Sequence, residues 1–335
     1  MDGTQGYLPQ NGTVRRALVS WILGFALLIL AFFGTLLLLD STTYSAHGFV
    51  SSYLDALNRH DATTARELPG VRAATGVGTN LLTDGSLSAI DNIRLLRDTS
   101  GSDRIHRVEF AYRLGNRPET STFYVTQTPS FLGLFSRWQF EKSPLATVSV
   151  TTPDDPRFRA NGTNVRTTVP DDHPQSYVVF APGLYVFDLK STYLTASPVD
   201  IPVTEPGSVT PVRVEAEPNA FFVKEVGKEL HSYYLGCAKQ TVMLPTSCPF
   251  GKTFANRVVS TPKWSMVSDP PVTITPSHGD WLVPFATGQA HLVVKVQSLF
   301  DGSISTFDSN VPFAVSYSIK IGASNHLTIT SLYAN

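Results

Sequence analysis

Residues 17–39, ALVSWILGFALLILAFFGTLLLL, run for 23 positions without a charged side chain. As an α-helix such a run is about 34 Å long at 1.5 Å per residue, enough to cross a hydrocarbon core of about 30 Å. A helix buried in a globular core would be shorter or amphipathic. A cleaved secretory signal carries only about 7–15 apolar residues, followed by small side chains at the cut. This run is longer, and a cut after Ala46 would place the bulky Tyr44 at a position that needs a small residue. The run therefore reads as an uncleaved transmembrane helix, with the lipid bilayer as its partner. Arg15 and Arg16 precede it and Asp40 follows it. Cationic flanks are retained on the cytoplasmic side. Residues 1–16 are then a cytoplasmic tail of a single-pass plasma-membrane protein, and the C-terminal bulk is extracytoplasmic. Trp21 stands near one end of the run, where an indole suits the headgroup level.

Export brings the cysteines into an oxidising compartment. There are two, Cys237 and Cys248, in CAKQTVMLPTSC. A disulfide is the expected state, the alternative being two free thiols. Closing so short a loop is worth about 3 kcal/mol by chain entropy. A zinc site needs about four ligands, and only His231 lies nearby in sequence. The 26 basic and 27 acidic residues leave a net charge of −1, so the basic footprint of a nucleic-acid binder is absent. Only 16% of residues are charged, which leaves ample apolar material for packed cores.

Charge composition divides the exported bulk into three. Residues 44–150 hold 11 bases, ten of them Arg, against 10 acids. Residues 151–218 hold 5 bases and 9 acids; residues 219–335 hold 8 bases, seven of them Lys, and 6 acids. The first segment opens with HGFVSSYLDALNRHD, where Phe49, Val50, Tyr53, Leu54 and Leu57 recur at helical spacing. Asp61 is placed to cap a second short helix that Pro69 and Gly70 end. SLSAIDNIRLL has an ambiguous period. Val108, Phe110, Tyr112 and Leu114 alternate as a strand, as do residues 122–126, and residues 134–140 carry Trp138. The middle segment reads as all-β: ANGTNV is a hairpin turn, Ala181-Pro182-Gly183 a tight turn between two apolar runs, and the Pro-broken strands after it edge strands. The third segment repeats the plan of the first. Phe222, Val226, Leu230, Tyr233 and Cys237 mark one helical face, and strands follow around Trp264 and Trp281 and along residues 291–300. The expected class is α+β: two helix-and-sheet domains (44–150 and 219–335) flanking a small β-sandwich-like domain (151–218).

YLDALNRHDATTA resembles the opening helix of the nuclear transport factor 2-like (cystatin-like cone) superfold. CAKQTVMLPTSCPF resembles a segment of actinobacterial single-span membrane proteins with a cone-like extracellular end. APGLYVF resembles the β-sandwich portion of teicoplanin-resistance-associated (TcaA-like) membrane proteins. These resemblances imply two cystatin-like cone domains outside the membrane. The cytoplasmic zinc ribbon usual in the TcaA-like proteins has no counterpart, because no cysteine precedes Cys237.

Catalytic motifs are missing: HExxH, GxSxG and the P-loop do not occur. Ser260-Thr-Pro-Lys263 matches an SxxK pattern, but no KTG follows, and it reads as a strand-edge coincidence. The eight histidines are scattered, and Asp154-Asp155 and Asp171-Asp172 read as loop acids rather than calcium ligands. What remains is aromatic. Trp138, Tyr233, Trp264 and Trp281 are the residues for lining a binding hollow in such cones, although most side chains of this kind are core. The expected function is a non-enzymatic envelope scaffold or binding protein without cofactor or metal, its partner another envelope protein or a cell-wall component. The alternatives are a single-span subunit of a secretion or conjugation assembly, or a ligand-binding or enzymatic cone.

Overall fold

The computed structural model describes residues 18–31, 45–101, 104–129, 137–169 and 172–332. The protein is a mixed α+β chain, rich in strand, with several antiparallel sheets. Residues 18–31 form helix α1, exposed along its whole length. Among the described residues no helix is long and apolar enough to cross a membrane. Arg15, Arg16, Asp40 and the remainder of the 17–39 run lie outside the described residues.

The chain forms two compact units that alternate along the sequence. The first takes the chain up to Thr147 together with Val178–Leu184 and Pro202–Ser208; the second takes Val148–Tyr177, Tyr185–Ile201 and everything from Val209.

In the first unit, α2 (Ala46–Asn58) starts at Ser45, whose hydroxyl accepts the Gly48 amide at 3.1 Å. Of the stripe that the periodicity marks it buries Val50, Tyr53, Leu54 and Leu57, while Phe49 is half-buried and packs against the same core. Asp61 caps α3 (Ala62–Glu67), accepting the Thr64 amide at 2.9 Å. Four strands follow in sheet order β1 (Asp91–Ser100), β2 (Ile105–Leu114), β3 (Arg117–Thr128) and β4 (Arg137–Phe140). The stretch of ambiguous period proves to lead into β1, whose pairing with β2 slips between Asp91 and Arg94 and again between Leu95 and Arg97. Each slip adds a residue and breaks the alternation, which is why no clean period is visible there. Helix α2 packs over β1–β3. Tyr53 meets Phe140 at 5.3 Å and Phe123 at 6.1 Å, and its buried hydroxyl donates to the Ala181 carbonyl at 3.0 Å. The apolar faces of helix and sheet thus close on one core, whose deep phenols Tyr53 and Tyr112 both have partners, Tyr112 in the Ser121 hydroxyl.

Strands of the middle segment are β5 (Leu145–Thr151), β6 (Arg157–Ala160), β7 (Thr163–Arg166), β8 (Gln175–Phe180), β9 (Gly183–Lys190), β10 (Leu194–Val203), β11 (Val209–Arg213) and β12 (Glu217–Pro218). They make a five-stranded sheet, β12-β10-β9-β6-β7, and a three-stranded one, β11-β5-β8. The ANGTNV hairpin joins β6 to β7, with Asn161 and Gly162 both at positive φ, as a two-residue primed turn requires. Residues 181–183 do turn the chain, but they pass it from one sheet to the other instead of pairing the two runs. Strand β11 is an edge, and β12 pairs β10 only at Leu194 and Thr195, so Pro198 and Pro202 lie beyond that pairing. Proline needs such places because it has no amide to donate.

In the C-terminal part of the second unit, α4 (Ala220–Ala238) is capped by Asn219, which accepts the Phe222 amide at 2.9 Å. It precedes a six-stranded sheet of β13 (Arg257–Val258), β14 (Lys263–Ser268), β15 (Thr275–Ser277), β16 (Asp280–Gln297), β17 (Ile304–Ile321) and β18 (Leu327–Ser331). Strands β16 and β17 are 18 residues each and form one long hairpin. The buried face of α4 is Phe222, Val226, Leu230, Tyr234 and Cys237. This corrects the expected stripe at one position: Tyr234, four residues after Leu230, points inward, and Tyr233 is 37% exposed. Cys237 and Cys248 are joined as a disulfide.

Candidate functional site

The four aromatic residues expected to line a hollow are not brought together. Trp138 belongs to the first unit and the other three to the second. Trp264 and Trp281 are core side chains, 7% and 3% exposed. The Trp264 indole donates to the Val242 carbonyl at 2.8 Å and packs on Phe250. Trp281 meets the edge of Phe222. Tyr233 donates its hydroxyl to the Ser247 carbonyl at 2.5 Å.

Trp138 leads to a cluster that sequence reading misses. Its ring stands edge to face with His106 at 4.8 Å. The His106 Nδ1 bonds Asp98 Oδ1 at 3.0 Å, and His47 Nδ1 bonds Asp98 Oδ2 at 3.1 Å. His47 comes from the first turn of α2, Asp98 from β1, His106 from β2 and Trp138 from β4. Asp98 lies opposite Val108 in the β1–β2 register, so it shares the helix-facing side of the sheet with Val108 and Phe110. All four side chains are half-buried. One carboxylate orients two imidazoles, one oxygen to each. With both rings neutral, each donates from Nδ1 and keeps its Nε2 lone pair.

Ser45 adds the third residue type of a hydrolytic triad, but its hydroxyl is not aligned for that role in this structure. Its hydroxyl is 3.2 Å from both His47 Nδ1 and His47 Nε2. Equal distances to two atoms on opposite sides of Cε1 put the oxygen off the Nε2 lone-pair axis, where proton transfer to the ring is poorly directed. The same hydroxyl caps α2. The cluster is therefore a polar anchor at the end of an apolar, helix-covered sheet face. Only tertiary pairing reveals it, since 51 residues separate His47 from Asp98. The local signal was a polar Asp98 and His106 at inward positions of strands.

In the second unit a cleft of about 550 Å³ lies between α4 and β18, lined by Tyr193, Glu229, Tyr233, His326 and Ile329 among others. Beneath it the Tyr234 and Tyr317 hydroxyls share a bond of 3.2 Å. Burial pushes Tyr317 up to about 12, and burial together with Tyr317 raises Tyr234 further. A phenol raised in the folded state stabilises fully below the unfolded value near 10, and that stabilisation is lost as pH rises through about 12. The tyrosinate absorbance of this pair is thus expected to emerge together with unfolding of the second unit, near pH 12. Ionisation near pH 10 with the circular dichroism unchanged would show that the pair is not held as described.

The loop acids and the SxxK serine singled out in the sequence are placed as follows. Asp155 holds Arg157 through both carboxylate oxygens, at 2.8 and 2.7 Å. Asp172 is 3.9 Å from Arg213, and Asp171 lies outside the described residues. Ser260 accepts the Lys295 amide at 2.8 Å from the connection before β14, and Lys263 starts β14, so the SxxK match is not on a helix. Among the described residues no group of three metal-ligating side chains is placed to hold an ion. No protein-family model, curated protein or solved structure matches the chain.

Proposed function

We propose that the protein is a non-enzymatic, membrane-anchored scaffold or binding protein of the bacterial envelope, held by residues 17–39 with its C-terminal bulk extracytoplasmic. The observation that carries this reading is the uncharged run of 23 residues between Arg15-Arg16 and Asp40. Two features agree with it. The described part of the run is helical with apolar side chains open all round, Trp21 at 80% and Leu30 at 70% exposure, a surface that lipid would cover. The Cys237–Cys248 disulfide suits an oxidising compartment. The finer reading of the fold belongs to this proposal too: α2 over β1–β4 and α4 with the C-terminal sheet are taken as cystatin-like cones, and the two middle sheets as a sandwich between them. The resemblance to actinobacterial single-span proteins is taken in the same sense.

Protease added to intact, wall-stripped cells tests the topology. The expected result is digestion of both units to leave a short anchored fragment. A protected C-terminal bulk, or a mature chain that begins beyond Asp40, overturns the proposal.

A second reading, a small-ligand binder in the first unit, is favoured by the His47–Asp98–His106 cluster, which sets polar groups on the helix-facing side of an otherwise apolar sheet.

A further inference from the structure

The outer face of the first unit's sheet carries arginines in a regular order. Val108, Phe110, Tyr112 and Leu114 of β2 enter the core, so Arg107, Glu109, Ala111 and Arg113 point to the other side. The register extends this face to the neighbouring strands. Four successive rungs read Asp91–Arg113–Pro118, Arg94–Ala111–Thr120, Arg97–Glu109–Thr122 and Thr99–Arg107–Tyr124 across β1, β2 and β3. Each rung holds one arginine. Rungs are two residues apart on β2, so the guanidinium-bearing positions follow one another every ~7 Å over about 20 Å. Their lateral scatter is one strand spacing, about 4.8 Å.

Arg94, Arg97, Arg107 and Arg113 are all exposed. Among the described residues the arginines in ion pairs are Arg157, Arg159 and Arg213, none of them on this face. Ala111 is the small residue of the set, and a groove of about 750 Å³ opens over it, lined by Arg94, Arg113 and Thr120 and at its margin by the carboxylate of Glu119. Thr99, Thr120, Thr122 and Tyr124 add hydroxyl groups to the same face.

We propose that this face binds a linear phosphodiester polymer laid along the strands. Arginine's fork matches phosphate oxygens. A phosphodiester chain with six backbone bonds per repeat spans about 7 Å when extended, since three backbone bonds span about 3.3–3.6 Å in a polypeptide. That repeat is the rung spacing. A lipid surface fits less well. Asp91 and Glu109 stand among the arginines, and a planar layer of charge meets all six groups, for a net of only +2. A narrow chain turns its phosphates to the arginine of each rung, with Asp91 and Glu109 one strand spacing to the side. The inference deepens the scaffold reading by naming the chemistry of the bound wall component, and it rests on that reading only for the ligand's source.

The test uses the full chain in detergent micelles and three probes: poly(glycerol phosphate), monomeric glycerol phosphate, and vesicles containing phosphatidylglycerol, which offers the same headgroup phosphate. The expected result is salt-sensitive binding of the polymer, with no measurable binding of the monomer and weaker binding of vesicles. Arg94→Gln and Arg97→Gln should each weaken the polymer about 3–10-fold and lower the salt slope by about 0.7. The fourfold Gln variant should abolish binding, and Arg59→Gln, at the end of α2, should leave it unchanged. Vesicle binding equal to or tighter than polymer binding, equal loss in Arg59→Gln, or no polymer binding by the folded chain overturns the proposal. Binding by the purified chain and topology in cells are separate readouts, so failure of one is not failure of the other.

Discussion

Gly70→Ala is expected to destabilise the first unit by roughly 3–5 kcal/mol. Gly70 ends the turn after α3 with φ +86°, and a Cβ built on it would lie 2.2 Å from the Phe140 carbonyl oxygen and 2.6 Å from the Phe140 nitrogen. Both contacts are to backbone, so no side-chain rotation relieves them. The close approach has a cause: the Phe140 amide donates to the Pro69 carbonyl at 2.9 Å, and Ser143 bonds both the amide and the carbonyl of Arg72. The turn is thereby stitched to β4, beside the core ring of Phe140. An alanine must take the left-handed conformation, at about 1–2 kcal/mol, and must also push β4 away, losing the stitch. Gly76 supplies the control. It has φ +77° and nothing within 4 Å of its Cβ position, so Gly76→Ala should cost only the conformational part. Denaturant titration with hydrogen exchange read separately on α2 and β2 distinguishes the two. Equal effects for Gly70→Ala and Gly76→Ala would falsify the role given to the Phe140 contact.

How far the sequence is legible follows from the range of the interactions. Helix α2, α3 with Asp61 and Gly70, and the ANGTNV turn are set by neighbours within about one turn of chain, and they stand where periodicity and capping chemistry put them, while the Ser45 cap of α2 is a feature the sequence reading leaves unmarked. The single slip in α4, Tyr233 for Tyr234, arises because steps of three and four residues both return to one helical face, and two adjacent tyrosines leave the choice to packing. Strand β1 is obscured by its own bulges. Sheet membership is less legible still: nothing local in SYVVFAPGLYVFDLK says that its halves enter different sheets, because both are apolar enough to be buried. The site shows the limit most clearly. Trp138 stands out in the sequence as an aromatic, yet its histidine neighbour and the bridging Asp98 are joined by β-register and helix docking, which no spacing in the sequence encodes. The arginine rungs have the same origin. The abundance of Arg in residues 44–150 is plain from composition, but one arginine per rung requires the slip between Leu95 and Arg97 that brings Arg94, three residues from Arg97, onto the same face.

Loss of the Cys237–Cys248 bond is expected to cost the second unit about 3 kcal/mol, with the effect concentrated at the end of α4 and in β14. The two cysteines are 11 positions apart, so the bond closes a short loop and restricts the unfolded chain. In the folded chain the loop is not a free appendage. Gln240 bonds Thr246 twice, through its carbonyl to the amide at 2.8 Å and through its amide to the carbonyl at 3.1 Å. Tyr233 and Trp264 each donate to a loop carbonyl, and Phe250 just beyond packs on Trp264 and Phe313. These contacts should keep the loop in place once it has folded, so the double variant Cys237→Ala/Cys248→Ala should retain its structure and unfold at lower denaturant, with a slope no shallower than that of the wild type because its unfolded chain is less restricted. Chemical reduction of the wild-type chain should reproduce the same midpoint. A midpoint unmoved by both treatments would mean that the bond adds nothing to the contacts around it. The size of the effect also links fold to location. A chain retained in a reducing cytoplasm would carry the full deficit in its second unit, whereas an exported chain would not. Alkylation of unfolded protein taken directly from cells reads the difference: the proposed topology requires both cysteines to resist labelling until a reductant is added.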